Sequence, residues 1–81
     1  MTKDMELNKL REGQSAVVRY ISDENPLKSR IESVGITEGS VITPLFCSPF
    51  GDPTAYEVKG GIIALRKTDC VGITVTVSDY E

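Results

Sequence analysis

Two cysteines and the carboxylates near them are the residues of this chain that could bind a metal ion. Cys47 and Cys70 are the only thiols, and Asp52, Asp69 and Glu57 could join them as ligands. Thiolates and carboxylates suit Fe(II) or Zn(II), but no Cys-x-x-Cys spacing makes such a site specific. We therefore favour reduced, partly buried thiols and solvated carboxylates. A disulfide and a shared metal ion are the alternatives, and an Fe(II) or Zn(II) ion would be weakly held unless two chains share the ligands.

The chain lacks histidine-based catalytic arrangements and a phosphate-binding loop. It contains no histidine, which removes the commonest metal ligand and the commonest acid–base group at neutral pH. It also has no Gly-x-x-x-x-Gly-Lys-Ser/Thr loop, and Gly60-Gly61 precedes a strand, so we interpret Gly60 as part of a hairpin turn. The sequence therefore predicts a non-enzymatic protein.

Three residues are candidates for contact with a protein partner. Phe50 and Tyr56 lie in or near the turn-rich loop 48–53, and exposed aromatic rings often anchor interfaces; ordinary packing in the core is the alternative. Arg66 ends a strand, where its charge could face a partner or its stem could pack over the core edge. For Arg30, on the helix, we favour packing over the core edge.

Length, composition and charge restrict the class of protein. Eighty-one residues suit one domain, 1–81 with a core at about 7–77, and 40% hydrophobic with 26% charged residues indicates a globular chain. The net charge of −3 disfavours binding to nucleic acid. No apolar segment follows Met1–Glu6, and no run approaches the roughly 20 residues of a membrane helix. We expect a cytoplasmic protein without direct membrane insertion.

Apolar alternation and turn residues predict a mainly β protein. We expect a small five-stranded SH3-like barrel with one short helix, Asn25–Val34, between strands 1 and 2. The predicted strands are Gln14–Ile21, Ser40–Phe46, Tyr56–Val58, Ile62–Arg66 and Ile73–Val77. Helical turns are expected at Leu7–Leu10 and Lys67–Val71, and a polar tail at Asp79–Glu81.

Two features of the predicted strands bear on assembly. Pro44 has no N–H to donate, so its strand should have an open edge or a bulge there. The flat strand 74–77 and the edge at Pro44 could pair between two copies, which makes a homodimer one possible assembly.

In its motifs the chain resembles the ferrous iron transport protein A (FeoA) family of small SH3-like domains. The resemblance covers about residues 7–77 and rests on the order of four motifs: Leu7…Leu10…Gly13, Arg30-Ile31…Gly35-Ile36…Gly39, Pro49-Phe50-Gly51-Asp52-Pro53, and Ala64-Leu65-Arg66…Ile73-Thr74-Val75. The positions that carry this structural signature are Gly13, Arg30, Gly35, Gly39, Gly51, Asp52, Pro53 and Leu65.

The resemblance implies an accessory role in bacterial ferrous iron uptake. The implied partner is a large membrane iron transporter, on whose cytosolic GTP-binding domain the protein would dock, and transition metal binding is attached to the family in general. A similar domain ends the iron- and manganese-dependent repressors, so a metal-sensing module is the alternative. Because no winged-helix part precedes the domain here, we expect a free-standing accessory protein.

Overall fold

The computed structural model describes residues 2–78, which form one six-stranded antiparallel sheet with a short helix. The strands lie in the order β1-β6-β2-β3-β4-β5, so β1 and β5 are the edge strands. The elements are β1 (Thr2–Glu6), β2 (Ala16–Ile21), α1 (Lys28–Ser33), β3 (Val41–Cys47), β4 (Thr54–Val58), β5 (Gly61–Leu65) and β6 (Ile73–Ser78), with 3₁₀ turns at Leu7–Lys9 and Lys67–Cys70.

The structure has one strand more than the five predicted, so that prediction is wrong. The additional strand is β1. Its sequence, TKDME, is poor in strand-forming residues, but the whole segment pairs with β6 from Thr2↔Ser78 to Glu6↔Thr74. Asp4 strengthens this pairing, since its Oδ1 accepts a hydrogen bond from Thr76 Oγ1 at 2.7 Å. A long-range partner strand thus overrides the local sequence preference.

Helix α1 is shorter than the predicted Asn25–Val34 and, because β1 comes first, lies between the second and third strands. The side-chain oxygen of Asn25 accepts the Leu27 N–H (2.8 Å), and the backbone oxygen of Asn25 accepts the Lys28 N–H (3.1 Å). These two hydrogen bonds form a turn ahead of the helix. At the other end, Gly35 has φ 104°. The Ile36 N–H donates to Ile31 O at 3.2 Å, as in a Schellman motif.

The core lies between the inner face of the sheet, α1 and the two 3₁₀ turns. Its fully buried side chains are Leu7, Ile21, Ile31, Ile36, Ile42, Ile73, Val18, Val75 and Pro44. Apolar burial of this kind supplies most of the free energy that favours folding, at roughly 25 cal/mol per Å². Every buried side-chain nitrogen or oxygen within residues 2–78 has a hydrogen-bond partner.

The alternative of a bulge at Pro44 is confirmed, because the β3–β4 register shifts between Pro44 and Phe46. On its other side β3 pairs with β2 only at Val41 and Ile42, and the carbonyl of Pro44 accepts the Gly13 N–H at 2.7 Å instead. Strand β6 pairs with both β1 and β2. The dimer contact predicted at 74–77 is therefore wrong, whereas the one at Pro44 stays a prediction.

Helix length bears on membrane insertion. Among the residues described, no helix is long and apolar enough to span a membrane. The predicted polar tail, Asp79–Glu81, lies outside these residues.

Candidate functional site

A groove of about 550 Å³ lies between α1 and β5. We call it the α1–β5 groove. One wall carries Leu27, Ile31 and Val34, and the other carries Ile63, Ala64 and Leu65. The first three residues recur at helical spacing and so share one side of the segment, which turns apolar carbon toward the edge strand. The groove therefore has two apolar walls, one of them formed by the last strand of the sheet.

Two arginines give the α1–β5 groove a positive character. Arg30 and Arg66 both line it and are exposed, and neither takes part in a salt bridge within residues 2–78. Asp69 also lines the groove. Its Oδ2 accepts the backbone N–H of Arg66 at 3.0 Å, which fixes the carboxylate at the start of a 3₁₀ turn. Arg66 thus meets the geometric condition for a partner-facing charge, and that role stays a prediction.

Both cysteines line a second, smaller cleft of about 190 Å³, which also borders Leu10, Pro44 and Tyr56. Cys47 is exposed, Cys70 is buried, and neither forms a disulfide. The Tyr56 hydroxyl lies 3.9 Å from Cys70 Sγ. Burial raises the pKa of the Cys70 thiol to about 11, and burial likewise raises the pKa of Tyr56 above its ordinary value. Both groups are therefore uncharged at neutral pH.

The candidate metal ligands do not come together as a ligand set. Asp52 Oδ1 accepts the Lys67 backbone N–H at 2.8 Å, and Asp69 is engaged with Arg66 as described. Cys70, with its raised pKa, is a protonated thiol near neutral pH, whereas metals bind the thiolate. The residues of the described part include no group of three or more Cys, Asp or Glu that could hold an ion. They do not fit a resident metal, and metal binding stays a prediction.

The structure separates the two aromatic candidates for partner contact. Tyr56 is 3% exposed and belongs to the core, so its predicted role as a partner anchor is corrected in favour of packing. Phe50 is 95% exposed. Its loop is held by hydrogen bonds from Ser48 N–H to Pro53 O (3.0 Å) and from Ser48 Oγ to Asp52 O (2.7 Å). Phe50 thus projects from an ordered loop, and its role with a partner stays a prediction.

The positions of the structural signature lie in turns and at the groove. Its four glycines share a positive φ, a conformation that other residues rarely adopt: Gly13, Gly35, Gly39 and Gly51. The Asp52–Pro53 peptide is cis. Arg30 and Leu65 line the α1–β5 groove. The signature is therefore mainly a description of backbone geometry, with two positions at the candidate site.

Sequence reasoning missed the groove and one buried polar residue. Leu27, Ile31 and Val34 recur at the spacing of a core-facing helix stripe, yet Val34 is half exposed. The signal for the groove in the sequence was the run Ile62–Leu65, which has no charged residue although its strand, β5, is an edge of the sheet. Asn25 is the first residue of the predicted helix, and its side chain also donates to the carbonyls of Asp69 (3.1 Å) and Val71 (2.8 Å).

Sequence comparison relates the chain to iron transport proteins. The profile of the FeoA domain matches residues 5–77. The chain is 31% identical over 71 residues to a fusion of Fe(2+) transport protein A with the Fe(2+) transporter FeoB from Porphyromonas gingivalis. This match takes in 88% of the chain but 8% of that protein, so the chain spans a small part of the length of its curated relative.

Solved structures agree with this relationship. A FeoA-like protein from Clostridium acetobutylicum has a TM-score of 0.88 at 31% identity, covering 100% of this chain and 94% of that one. Zinc-complexed FeoA of Stenotrophomonas maltophilia, described as an SH3 domain protein, has a TM-score of 0.72 at 24% identity (88% of each chain). A manganese-dependent transcriptional repressor has 0.82 at 22% (96% of this chain, 44% of that one). The likenesses to the Stenotrophomonas protein and to the repressor show the fold alone. The predicted SH3-like fold and the resemblance to the FeoA family are confirmed.

Proposed function

The chain belongs to the FeoA domain family, and from this premise we propose that it is a non-enzymatic accessory protein of ferrous iron uptake. It acts in the cytoplasm by docking on the cytosolic GTP-binding part of a membrane ferrous iron transporter. The observation that carries this proposal is the fusion relative, in which a segment similar to this chain belongs to the same polypeptide as the transporter. Such fusion keeps two domains at high effective concentration, as suits partners that act together.

The surface of the molecule supports a role by contact. Phe50 and the α1–β5 groove offer apolar area, and aromatic, apolar and arginine side chains are the usual anchors of protein interfaces. Docking regulates uptake if the protein binds one state of the transporter more tightly than the other, since a ligand shifts an equilibrium by its differential affinity. The nucleotide bound to the transporter is the natural variable that distinguishes such states.

Titration of the full chain against the transporter's cytosolic GTP-binding domain tests this proposal. The domain is prepared nucleotide-free, with GDP and with a non-hydrolysable GTP analogue. We expect a Kd on the order of tens of micromolar or tighter in at least one state, about −6 kcal/mol or more favourable, and different values between states. Absence of binding in all three states overturns the proposal.

The metal-sensing alternative has weaker support. The likeness to a manganese-dependent repressor extends to the fold. Of the candidate ligands, Asp52 and Asp69 are hydrogen-bonded to backbone N–H groups and Cys70 is buried. Calorimetry with Fe(II), Zn(II) and Mn(II), on the native chain and on the Cys47→Ser/Cys70→Ser double variant, decides it. A micromolar Kd that the double variant loses would favour sensing, whereas millimolar or absent affinity removes the alternative.

A further inference from the structure

Strand β5 has a sheet edge without the usual protection against pairing. Natural edge strands are guarded by charged residues, proline, bulges or short length. The β5 sequence, Gly61-Ile62-Ile63-Ala64-Leu65, has neither charge nor proline, and its ladder with β4 runs through five consecutive pairs without a register shift. At the opposite edge, β1 has Lys3, Asp4 and Glu6. The two edges of this sheet are thus unlike, and β5 is the one suited to accept another strand.

The turn before β5 determines which of its backbone groups are free. Lys59 and Gly60 both have positive φ, 52° and 80°, as a two-residue type I′ turn requires. The turn is flanked by the pair Val58↔Gly61. In a hairpin of this type the two flanking residues form both backbone hydrogen bonds with each other. Hydrogen-bonded and non-hydrogen-bonded pairs then alternate along the ladder, starting from this pair.

Counting along the ladder places two residues with their backbone groups toward the open edge. Gly61, Ile63 and Leu65 occupy hydrogen-bonded pairs with β4, and Ile62 and Ala64 occupy the pairs between them. The N–H and C=O of Ile62 and Ala64 therefore point away from β4. Together they offer the two donors and two acceptors that an added strand would need.

The α1–β5 groove lies beside this edge. Ile63 and Leu65 share the face of the sheet that includes buried Tyr56, and both line the groove. A strand added to β5 would direct every second side chain to that same face, and thus toward Leu27 and Val34 on the opposite wall. The site therefore combines a backbone template with an apolar trough for alternate side chains, which is how strand addition achieves both affinity and specificity.

Positive charge flanks both ends of β5. Arg66 and Lys67 follow the strand and Lys59 precedes it. The Lys59 stem lies beside the end of α1, because a Cβ built on Gly35 would be 3.4 Å from Lys59 Cδ. This cluster, with Arg30 in the groove, stands out on a chain of net charge −3. The acidic groups beside it are Asp69, which accepts the Arg66 N–H, Asp52, which accepts the Lys67 N–H, and Glu57, which is paired with Ile62.

The same charges disfavour a second copy of this chain as the occupant. Two copies could pair their β5 strands antiparallel through the free groups of Ile62 and Ala64. The two-fold axis would then pass through Ile63, and Lys67 of each copy would lie opposite Lys59 of the other. Like charges directly opposite destabilise a strand pair. A segment with acidic residues at the corresponding positions would instead meet complementary charge at each end.

We propose that β5 binds an extended, acidic segment of a partner protein, which joins the sheet as a seventh strand. Its backbone pairs with Ile62 and Ala64, its alternate apolar side chains enter the α1–β5 groove, and its carboxylates lie near Lys59, Arg30 and Arg66. This proposal deepens the proposed function, because it names the surface on which the transporter's cytosolic part would dock.

A pair of synthetic peptides tests the site without the transporter. One alternates valine with glutamate, and its counterpart has lysine in place of each glutamate. NMR titration of the full chain is expected to shift the amide signals of Ile62 and Ala64 most, with the acidic peptide binding about tenfold or more tightly than the basic one. Equal binding of the two peptides, no binding, or shifts centred on another surface overturns the proposal.

Variants of one position separate strand addition from ordinary contact. Ala64→Pro removes the outward N–H, and proline is tolerated where an edge N–H faces solvent, so the fold should survive. Ala64→Thr keeps the N–H and serves as the matched control. We expect Ala64→Pro to weaken acidic-peptide binding about tenfold or more while Ala64→Thr retains it. A proline variant that folds and binds like the native chain contradicts the proposal.

Charge reversal provides a second, independent comparison. Arg66→Glu is expected to weaken binding of the acidic peptide several-fold, whereas Lys3→Glu, the same change at the opposite edge, leaves it unaltered. The same variants are then titrated against the transporter's GTP-binding domain. If that domain binds the native chain and Ala64→Pro equally, the β5 site is wrong but the proposed function stands. If the domain fails to bind while the acidic peptide occupies β5, the proposed function is wrong and the site stands.

Discussion

The buried side-chain amide of Asn25 donates a hydrogen bond to the backbone carbonyl of Val71 at 2.8 Å. The same amide donates to Asp69 O at 3.1 Å, and its oxygen accepts the Leu27 N–H at 2.8 Å. Asn25 is 4% exposed, so water has little access to replace these bonds. One side chain thus ties the segment before α1 to the turn before β6, and it fixes the wall of the groove that α1 supplies.

Substitution of Asn25 should therefore destabilise the protein strongly. Asn25→Ala leaves two carbonyls and one N–H without their partner, and we expect a loss of about 2–3 kcal/mol in the free energy of unfolding. Asn25→Asp keeps the acceptor for Leu27 but loses both donors, and should also be destabilised. Urea denaturation measures both values. As a control, Asn8→Ala, at an exposed position, should change stability by less than about 0.5 kcal/mol.

Stability should fall at alkaline pH because of Cys70. Burial raises its pKa to about 11 in the folded protein, whereas an unfolded cysteine has a pKa of about 8.5. Between these values the folded state binds more protons than the unfolded state, so the free energy of unfolding decreases as pH rises. The contribution is fully present below about pH 8.5, and by about pH 10 we expect roughly 1–2 kcal/mol to be lost.

Denaturation curves at several pH values measure this loss. Cys70→Ala should be less stable near neutral pH but should show a flatter dependence up to about pH 10, because the titrating thiol is gone. Tyr56, whose pKa is also raised by burial, adds a loss of the same sign at higher pH. A native chain and a Cys70→Ala variant with equal alkaline slopes would contradict the assignment.

The two thiols should differ in reactivity. Cys47 is exposed and Cys70 is buried, and the thiolate is the reactive form. With a disulfide reagent at neutral pH we expect one thiol per chain to react quickly and the second to react at the rate of transient opening or unfolding. Cys47→Ser should abolish the fast phase and leave the slow one. Two thiols that react at one rate in the native protein would refute this expectation.

Gly72 should be far less tolerant of alanine than Gly13. Both have positive φ, 79° and 81°, so both substitutions carry a conformational cost of about 1 kcal/mol. A Cβ on Gly72 would also lie 2.7 Å from Ser22 Cβ, whereas a Cβ on Gly13 would have open space. We expect Gly72→Ala to cost at least about 1 kcal/mol more than Gly13→Ala. Ser22→Gly in the Gly72→Ala background should recover part of the difference.

Phe50 should contribute to binding and not to folding. Because its ring is 95% exposed, Phe50→Ala should change the free energy of unfolding by less than about 0.5 kcal/mol. If Phe50 anchors the transporter, the same variant should raise the Kd for the GTP-binding domain about fivefold or more. Val71→Ala, at another exposed apolar side chain, is the matched control. Equal affinity of native and Phe50→Ala protein would exclude Phe50 from the interface.

The sequence predicted the elements whose signals are local. Apolar residues occupy alternate positions in Ala16–Ile21 and in Ile73–Ser78, and both segments are strands. The glycine after α1 has the positive φ of a helix end. Strand β1 could not be predicted in this way, because Lys3, Asp4 and Glu6 have little strand preference. Its conformation depends on β6, whose residues lie some 70 positions away in the chain.

The candidate site was less predictable for a related reason. A groove depends on how far two elements stand apart, and the spacing of Leu27 and Val34 reveals only that they share one side of a helix. The burial of Tyr56 and the engagement of Asp52 with Lys67 N–H also depend on the turn 67–70 packing against the sheet. Exposure of Phe50, by contrast, follows from a loop sequence rich in glycine and proline.

The charged outer strand, β1, has a consequence for stoichiometry. If a segment adds to β5, no further molecule should pair with the opposite edge of the sheet, because Lys3, Asp4 and Glu6 present mixed charge on β1. Each copy is then monovalent, and its complexes should saturate at one to one instead of growing into filaments.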